Sequence, residues 1–459
     1  MKTQFNRREF LKTSAAATAA GWVLSSLTSC AGTSVARVRR PKPSDRINIG
    51  IIGFGTIAHG TVMNFLGDAR VQVVAVADPV SDLPNYGYQG QLRGGRLVGQ
   101  KKIEDYYAQY SAGGTFRGCR VYEDFRVMID KEDLDTVYIA TPDHWHCAAA
   151  VIAARKGLHI YGQKPLAVTV EEGQRIVAAV QKAGITWQTG SQQRSSVYFR
   201  TACEYVRNGR LGKLRRITVG LPDKGHNDWS KLGSRKKPEP IPKEVNFDLW
   251  LGPAAERPYS PALLPLNWRH NWDFSGGSVT DWGAHHFDIV QWALGLDDSG
   301  PVLVENVVAK LPPQSDLYNT PTSYAFEVVY ANGVRLFVSS GAEEGILFEG
   351  EGDKSIFVKR DRIVIKPESL RQEKIRDEEI RLYESKVQEW NFIDCIYSGK
   401  PAICPADVSH RAITISHLAN IAIRLGRSSV RWNPATERFV DDVVADRMLS
   451  RPMRKPYAV

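Results

Sequence analysis

Residues 276–288, GGSVTDWGAHHFD, combine two acids with two adjacent histidines. After the glycine pair, Ser278 and Asp281 fit the Ser/Thr-x-x-Asp/Glu capping pattern, which predicts that a helix begins at Ser278. On that helix Asp281 and His285 lie one turn apart on one face, whereas His286 is turned by about 100° and points elsewhere. The pattern indicates acid–base chemistry: His285 is the natural base near neutral pH, and Asp281 could orient it or contact a substrate.

A metal site is the alternative interpretation of the same stretch. Asp288, further along, could supply a third ligand beside Asp281 and His285, or could assist them in catalysis. No metal is predicted, because the motif described next supplies redox chemistry without one.

The stretch GFGTIA, residues 53–58, has the features of a dinucleotide-binding fingerprint. It follows the apolar run 47–52 and opens an apolar-faced helix, whose N-terminus would hold a pyrophosphate because free N–H groups and the helix dipole favour anions. The next apolar strand ends at Asp78, whose carboxylate could accept hydrogen bonds from ribose hydroxyls and would repel a 2′-phosphate. NAD is therefore predicted rather than NADP. The expected contacts here are Gly53, Phe54, Gly55, Thr56, Ile57 and Asp78.

Further cofactor contacts are expected where the following strands end. The loop 140–146, ATPDHWH, comes directly after the third strand, at the edge where ligands of parallel sheets bind. Lys164 ends the fourth strand, and Pro165 biases it toward an extended conformation at that edge. There Lys164 could hydrogen-bond a reacting oxygen and stabilise negative charge. The additional candidate contacts are Thr141, Pro142, His146, Gln163, Lys164 and Gln192.

The elements that must position these residues follow from the hydrophobic pattern. Apolar runs at 47–52, 71–77 and 136–140 are typical of buried parallel strands, and helical patterns lie between them. Residues 80–118 interrupt this alternation and are interpreted as an insertion. The sequence thus predicts an α/β protein with a Rossmann dinucleotide-binding domain over 47–165.

From about residue 166 the character changes to long β-type segments with few helices between them. These segments lie at 214–220, 302–310, 324–330, 334–340 and 356–365. Asn332-Gly333, between two of them, is a strong hairpin signal. We predict a C-terminal α/β domain with a large, mostly antiparallel open sheet over 166–445, followed by a tail over 446–459.

The distribution of charge argues against nucleic-acid binding. The chain has 459 residues and a formal net charge of +10. Residues 1–29 carry +3 and residues 37–46 carry +4, which leaves +3 for the remainder. Because the basicity belongs to a leader and a linker, no nucleic-acid partner is predicted.

The N-terminus resembles an export signal. Residues 6–12, NRREFLK, match a twin-arginine pattern, and the Ala-rich stretch that follows is too short and too weakly apolar for a membrane span. The run 27–30, LTSC, resembles a lipobox in which Cys30 would carry a lipid, and simple cleavage nearby is the alternative. We expect a twin-arginine export signal over 1–30, a linker over 31–46, and a periplasmic or membrane-anchored protein. The other five cysteines show no CxxC spacing, so they indicate neither a disulfide framework nor a zinc ribbon.

Several motifs in the same order carry a family resemblance: GFGTIA, AVADP, ATPDHWH, QKPLA and GGSVTDWGAHHFD. Together they resemble the Gfo/Idh/MocA oxidoreductases, the family of glucose-fructose oxidoreductase and inositol dehydrogenase. The resemblance covers residues 47 to about 427. It implies an NAD(P)-binding domain followed by an α/β domain whose open sheet carries substrate contacts and oligomer interfaces, so a homo-oligomer is expected.

The resemblance also implies the reactive residues. The family's lysine of an EKP motif, and its aspartate and histidine four residues apart, fall here on Lys164, Asp281 and His285. Oxidation of a sugar alcohol requires hydride transfer to nicotinamide while a base removes the hydroxyl proton. The departure from the family is Gln163 in place of glutamate, which removes a negative charge beside Lys164.

Substrate contacts are expected where aromatic faces mix with amides and charges, which suits a sugar with apolar C–H faces and hydroxyls. Such mixtures occur at 226–229, HNDW, and 267–272, NWRHNW, and the stretch GSQQR at 190–194 could reach the cofactor or the substrate. Trp250 and Trp282 are expected in the core instead. The candidate substrate contacts are Arg194, His226, Trp268, Arg269 and His286.

Three functions are compatible with this reading. The first is a dehydrogenase that oxidises a secondary hydroxyl of a sugar or glycoside with a tightly held NAD. The second is an NAD-dependent, redox-neutral glycoside hydrolase of the α-N-acetylgalactosaminidase kind. The third is a non-catalytic sugar-binding protein, against which the joint presence of Lys164, Asp281 and His285 argues.

Overall fold

The computed structural model describes residues 46–459 apart from 87–89, 112 and 222–236. The predicted export signal, the lipobox, nearly all of the linker, and His226 lie outside the described residues. Within those described ranges, no helix is long and apolar enough to cross a membrane.

The first domain contains a six-stranded parallel sheet with the strand order β5-β2-β1-β6-β7-β8. The elements of this domain are β1 (Ile47–Ile52), α1 (Thr56–Leu66), β2 (Val71–Ala77), β3 (Leu83–Tyr86), β4 (Leu92–Gly94), α2 (Arg96–Ala108), β5 (Arg120–Tyr122), α3 (Phe125–Lys131), β6 (Thr136–Ile139), α4 (His146–Arg155), β7 (His159–Gly162), α5 (Val170–Ala183) and β8 (Trp187–Thr189). Strands β3 and β4 form a separate two-stranded sheet. The Rossmann architecture is confirmed, and the sheet continues beyond the predicted boundary at residue 165 to β8.

Burial on both faces explains why these strands read as continuous apolar runs. In β1 every residue except Asn48 is buried, and helices pack on both sides of the sheet. Because parallel strands run in one direction, their ends bring Gly53, Asp78, Thr141 and Lys164 to the same edge of the sheet.

The interpretation of residues 80–118 as an insertion is wrong for much of that range. Helix α2 packs against β2 and fills the crossover between β2 and β5, with Ile103 fully buried. Only Gly99, Ile103 and Glu104 of α2 are buried. The helix was missed because so few apolar residues mark its inner face.

The second domain is built on a nine-stranded sheet with the order β15-β14-β13-β9-β12-β11-β10-β16-β17. Its elements are α6 (Val197–Arg207), β9 (Arg216–Gly220), α7 (Phe247–Leu251), α8 (Gly277–Asp281), α9 (Gly283–Leu294), β10 (Leu303–Lys310), β11 (Ser323–Val329), β12 (Arg335–Ser339), β13 (Gly345–Glu349), β14 (Ser355–Lys359), β15 (Arg362–Lys366), α10 (Glu368–Gln372), α11 (Gln388–Ser398), α12 (Ala406–Arg424), β16 (Val430–Asn433), β17 (Arg438–Phe439) and α13 (Val443–Asp446). All strand pairs are antiparallel except β9 with β12, which confirms the predicted open, mostly antiparallel sheet.

The turn signals in the sequence predicted one of two hairpins in this sheet. The hairpin at Asn332-Gly333 is confirmed between β11 and β12, and Gly333 has a φ of +83°. The segment predicted at 356–365 is two strands, β14 and β15, joined by a tight hairpin. One face of the sheet packs against α6, α9 and α12, which together form the largest apolar core.

Helix α11 leaves the second domain and completes the first. Phe392 lies within 5.7 Å of the Tyr161 ring in β7, measured between ring centroids, and is fully buried. Glu389 accepts a hydrogen bond from the Asn64 amide at 2.9 Å, and Trp390 donates to the Asn64 carbonyl at 2.9 Å. A helix from late in the chain therefore covers the face of the Rossmann sheet beside α1.

Candidate active site

A cleft with an empty volume of about 800 Å³ lies along the edge where β1, β2 and β6 end. Eight of the predicted cofactor contacts line it: Gly53, Phe54, Gly55, Thr56, Ile57, Asp78, Thr141 and Pro142. Gly53 has a φ of +86°, and a Cβ atom there would lie 2.8 Å from the Ala140 carbonyl oxygen, so the turn requires glycine. Among the described residues no side chain caps the N-terminus of α1, and the helix dipole there favours an anion. The cleft therefore fits a dinucleotide.

Asp78 holds the end of β2 and faces the same cleft. Its carboxylate accepts hydrogen bonds from the backbone N–H groups of Phe54 at 2.7 Å and Val80 at 2.8 Å. Each oxygen retains a further lone pair for a ribose hydroxyl. Burial raises the pKa of Asp78 to about 6, against the opposing effect of these hydrogen bonds. The carboxylate is mostly ionised at neutral pH, as discrimination against a 2′-phosphate requires.

Arg96 is a neighbour of Asp78 that the sequence analysis missed. Its guanidinium donates to the Asp78 carbonyl at 3.0 Å and lies 3.9 Å from Glu123, which also lines the cleft. Nothing in the motif signals this arginine, because α2 was not recognised as part of the sheet's cover.

The loop after β6 carries two polar side chains, Thr141 and His146, which differ in their hydrogen bonding. The Thr141 hydroxyl is buried at the cleft and has no hydrogen-bond partner among the described residues. The His146 ring lies between two backbone carbonyls, with Nδ1 2.7 Å from the Pro165 oxygen and Nε2 3.1 Å from the Thr141 oxygen. The prediction that His146 contacts the cofactor is corrected: its buried ring instead ties this loop to the residue after Lys164.

The two glutamines occupy different places. Gln163 is buried, and its amide nitrogen donates to the Tyr138 hydroxyl at 3.0 Å. A Cβ atom on Gly190 would lie 2.6 Å from the side-chain oxygen Oε1 of Gln163, so the side-chain amide is closely confined. Gln192 shares a groove with Thr56 beside the N-terminus of α1. Gln192 is thus placed near the cofactor cleft, whereas Gln163 supports β7 from inside.

Lys164 and Asp281 form an ion pair that joins the two domains. The Lys164 Nζ atom lies 2.5 Å from Asp281 Oδ1 and 3.0 Å from the Asp281 carbonyl oxygen. Burial alone would raise the pKa of Asp281, but the charges of Lys164 and Arg269 outweigh it and hold the pKa well below its usual range. Asp281 is therefore a permanent carboxylate, and it is the group that holds Lys164 in place.

His285 is buried beside this pair. Its Nδ1 atom has no hydrogen-bond partner among the described residues, and its ring centroid lies 6.4 Å from that of Trp282. Burial, followed by the charges of Lys164 and Arg360, lowers the pKa of His285 well below its usual value. The ring is therefore neutral near pH 7, which is the form that can accept a proton.

Trp268 and Arg269 are predicted substrate contacts, and that role stays a prediction. Both line the cofactor cleft, and the Arg269 guanidinium lies 4.3 Å above the Trp268 ring. Arg269 Nε also lies 3.6 Å from Asp281 Oδ1. Arg269 therefore connects the lining of the cleft to the Lys164–Asp281 pair.

A helix begins in this stretch as predicted, but one residue earlier, and the predicted capping role of Ser278 is wrong. Helix α8 begins at Gly277, and Ser278 caps nothing, because its hydroxyl hydrogen-bonds the Tyr324 hydroxyl at 2.9 Å. A tightened turn at Trp282 separates α8 from α9, so Asp281 ends one helix and His285 lies in the first turn of the next. Asp281 is paired with Lys164 rather than hydrogen-bonded to His285.

Two predicted substrate contacts are corrected by burial. Arg194 is 2% exposed, and its guanidinium is fully engaged by Asp288 at 2.8 Å and Asp297 at 2.8 Å. His286 is fully buried, and its Nδ1 atom lies 3.1 Å from the Gly220 carbonyl oxygen. Both residues anchor α9, and Asp288 does so as well rather than assisting catalysis.

Two groups near the site escaped the sequence analysis. Asp143 is buried and accepts a hydrogen bond from the Ser275 hydroxyl at 2.5 Å. Burial raises the pKa of Asp143 to about 7, against the effect of Arg269. Arg360, on the turn between β14 and β15, lies 4.6 Å above the Trp282 ring. Trp282 is half-buried and packs against the largest apolar core, in agreement with the prediction for that residue. Asp143 could have been suspected from its place in ATPDHWH, but Arg360 has no local signal.

No group of three histidine, cysteine or acidic side chains in the described part of the chain could hold a metal ion. The five cysteines from Cys119 onward are buried and free. Trp250 is buried in a small apolar cluster, in agreement with the prediction for that residue.

Family models match three parts of the chain. Residues 107–191 match the NAD-binding Rossmann fold of the Gfo/Idh/MocA oxidoreductase family, and residues 198–459 match the C-terminal alpha/beta domain of that family. Residues 4–21 match a twin-arginine translocation signal sequence.

Individual proteins are also similar to this chain in sequence. A levoglucosan dehydrogenase of Pseudarthrobacter phenanthrenivorans is 27% identical over 193 residues, which cover 42% of this chain and 41% of that protein. A glycosyl hydrolase family 109 protein of Saccharopolyspora erythraea is 31% identical over 228 residues, covering 47% of this chain and 43% of that protein. The matches thus span less than half the length of these relatives.

Solved structures confirm the fold. An aldose-aldose oxidoreductase from Caulobacter crescentus, complexed with glycerol, superimposes with a TM-score of 0.55 at 20% identity. The superposition covers 84% of this chain and 99% of that one.

Proposed function

The chain belongs to the Gfo/Idh/MocA oxidoreductase family, and we propose that it oxidises a secondary hydroxyl of a sugar or glycoside by hydride transfer to a tightly held NAD. The observation that carries this proposal is the Lys164–Asp281 ion pair beside the neutral, buried His285, which Arg269 connects to a cleft that fits a dinucleotide.

Each residue of this group has a separate task in the proposed reaction. When bound, NAD supplies the hydride acceptor. His285 takes the hydroxyl proton of the substrate, and the Lys164 ammonium donates a hydrogen bond to the same oxygen as negative charge develops there. Asp281 holds the Lys164 side chain in position. Because Asp281 supplies this carboxylate, the glutamine at position 163 in place of the family's glutamate does not leave Lys164 without a counter-charge.

The substrate side is assigned to the aromatic and cationic groups that converge on this point. Trp268 and Trp282 offer faces for the C–H side of a sugar ring, while Arg269 and Arg360 offer donors to its hydroxyls. Levoglucosan dehydrogenase and the aldose-aldose oxidoreductase, by their names, act on carbohydrates, which supports this substrate class.

Products of a panel of sugars and glycosides, made by protein that carries its own cofactor and weighed by mass spectrometry, test the function. A product two mass units lighter than its substrate is expected from at least one compound. If every compound is returned unchanged while the protein holds NAD, the proposal fails.

Glycoside hydrolysis without net oxidation is the second candidate, favoured by the similarity to the glycosyl hydrolase family 109 protein. Aryl glycosides separate the two reactions. Release of the phenol without accumulation of a keto-sugar indicates hydrolysis, whereas a stable keto-glycoside indicates oxidation.

The twin-arginine signal supports export of a folded protein, and we place the mature chain in the periplasm or on a membrane through Cys30. Because NAD is not freely supplied there, the cofactor is carried from the cytoplasm. Denaturing protein isolated from its own compartment should release about one NAD per chain. We also expect a homo-oligomer through the nine-stranded sheet, which light scattering of the purified protein would measure.

A further inference from the structure

A second cleft, with an empty volume of about 1100 Å³, lies between α12 and the C-terminal segment 447–452. It is distinct from the cofactor cleft, with which it shares no lining residue. It borders the active site from behind, because Ser275 lines it and donates its hydroxyl to Asp143.

The inner wall of this cleft carries two buried hydrogen-bond acceptors without partners. His417 and Asn420, one turn apart on α12, are each 5% exposed. The His417 ring is neutral and hydrogen-bonds the Ala167 backbone, while its Nε2 atom has no partner among the described residues. Asn420 donates through Nδ2 to the Gly276 carbonyl at 2.9 Å, and its Oδ1 atom likewise has no partner there.

The chemistry of these two atoms specifies what they need. With Nδ1 as the donor to Ala167, Nε2 of His417 presents a lone pair, and Oδ1 of Asn420 presents two. Leaving a buried acceptor unsatisfied is costly, so each requires a donor from outside the protein. Hydroxyl groups a few ångströms apart meet that need.

The mouth of the cleft adds an aromatic face and two arginine side chains. Arg424 lies 5.3 Å above the Trp272 ring, and Arg447 also lines the cleft. Neither guanidinium has a carboxylate within 4 Å in the described ranges. The other charges at the cleft are paired: Arg451 with Glu172 at 2.6 Å, and Asp273 with Arg257 at 3.0 Å.

We propose that this cleft is a second carbohydrate site that binds a polyhydroxylated anion, such as a sugar acid or a sugar phosphate. Hydroxyls of the ligand donate to His417 Nε2 and Asn420 Oδ1, its C–H face packs on Trp272, and its anionic group pairs with Arg424 and Arg447. Because the site is separate from Lys164 and His285, it holds a ligand that is not being oxidised.

Crystals of the NAD-loaded protein soaked in D-glucuronate or D-glucose 6-phosphate test the site directly, and the two soaks distinguish a carboxylate from a phosphate ligand. We expect density for at least one of them in contact with both acceptor atoms and with Arg424. D-glucose, which lacks the charge, and inorganic phosphate, which lacks the hydroxyls, should leave the cleft to water. If the soaks with both sugar anions show only water bridging His417 and Asn420, the proposal is overturned.

Calorimetric titration with the same probe provides the second measurement. Arg424→Met and Arg447→Met, both at the exposed mouth, should each weaken binding about tenfold, because each removes a charged hydrogen-bond donor to the anionic group. Arg431→Met removes an equal charge from an exposed surface pair and should leave the affinity unchanged. Lys164→Met should also retain the binding, because it alters the reaction centre alone. An affinity lost with Lys164→Met but kept with Arg424→Met would assign the ligand to the active site instead.

Discussion

Lys164, at the end of β7 in the first domain, lies 2.5 Å from Asp281, at the end of α8 in the second. The pair joins the two domains at the point where hydride transfer is proposed. The contact therefore serves both alignment and chemistry.

Replacing Lys164 with methionine should lower kcat/KM about 10²- to 10³-fold, the usual cost of losing a donor to a developing oxyanion. Lys156→Met is a suitable control, since it removes a lysine of the same fold region that pairs with Asp130 at the surface. Steady-state rates on the best sugar, with cofactor content measured in parallel, check the effect. Full turnover by Lys164→Met would remove this residue from the mechanism.

The pH profile should reflect the lowered pKa of His285. Its usual value is 6.5, and burial together with the nearby cations lowers it. Because the base must be neutral, kcat/KM should stay level through neutral pH and fall only well below pH 6.5. Arg360→Met removes one of those cations, so it should raise the pKa and move the acidic limb to higher pH.

Arg362→Met, on the same hairpin, is the matched control for that experiment, because Arg362 pairs with Glu343 at 2.7 Å. It should leave the limb in place. An acidic limb centred at or above pH 6.5 in the unmodified protein would mean that another group is the base.

Asp143 should make the protein less stable as pH rises. Folding raises the pKa of this carboxyl from 3.8 to about 7, so the folded state binds the proton more tightly than the unfolded chain. The resulting stabilisation is complete below pH 4 and is lost as pH rises to 7, by at most about 1.4 kcal/mol per pH unit. Asp143→Asn should reduce the drop in unfolding temperature between pH 5 and pH 7.5. Asp130→Asn, at the surface, should not change that drop.

Cofactor preference should depend on Asp78 and Arg96 together. Asp78→Ser removes the charge that repels a 2′-phosphate, and Arg96, whose guanidinium donates to the Asp78 carbonyl, remains to receive it. The ratio of NADP to NAD affinity should therefore rise at least tenfold. The double change Asp78→Ser with Arg96→Met should reverse most of that gain, and an unchanged ratio in the single variant would contradict the assignment.

The parts of the site that lie within contiguous motifs were predictable, because strand, turn and helix signals in GFGTIA and ATPDHWH are local. Lys164, Asp281 and His285 were identified through a family pattern, and the structure brings all three together. Local sequence patterns gave wrong predictions for residues whose role depends on their burial. Arg194 and His286 carry the side chains of a sugar site, yet their carboxylate and carbonyl partners come from far along the chain.

The groups that were missed are missed for the same reason. Arg360 belongs to a hairpin that reaches the active site only because β14 and β15 sit at one end of the nine-stranded sheet. Burial raises the pKa of Asp143, and the hydroxyl that donates to it, which acts against this shift, belongs to Ser275, 132 residues away. Neither fact is present in the spacing of residues.

The position of α11 has a consequence for how the protein is made. Helix α11 covers β7 and α1, yet twelve strands and helices of the second domain precede it in the chain. The nucleotide-binding half is therefore incomplete until residue 398 has been translated. A nascent chain or proteolytic fragment that stops at β8 would expose the apolar surface around Tyr161 that Phe392 otherwise covers. The nucleotide-binding half is therefore complete only when nearly the whole chain has been made, and we expect cofactor loading to follow that point.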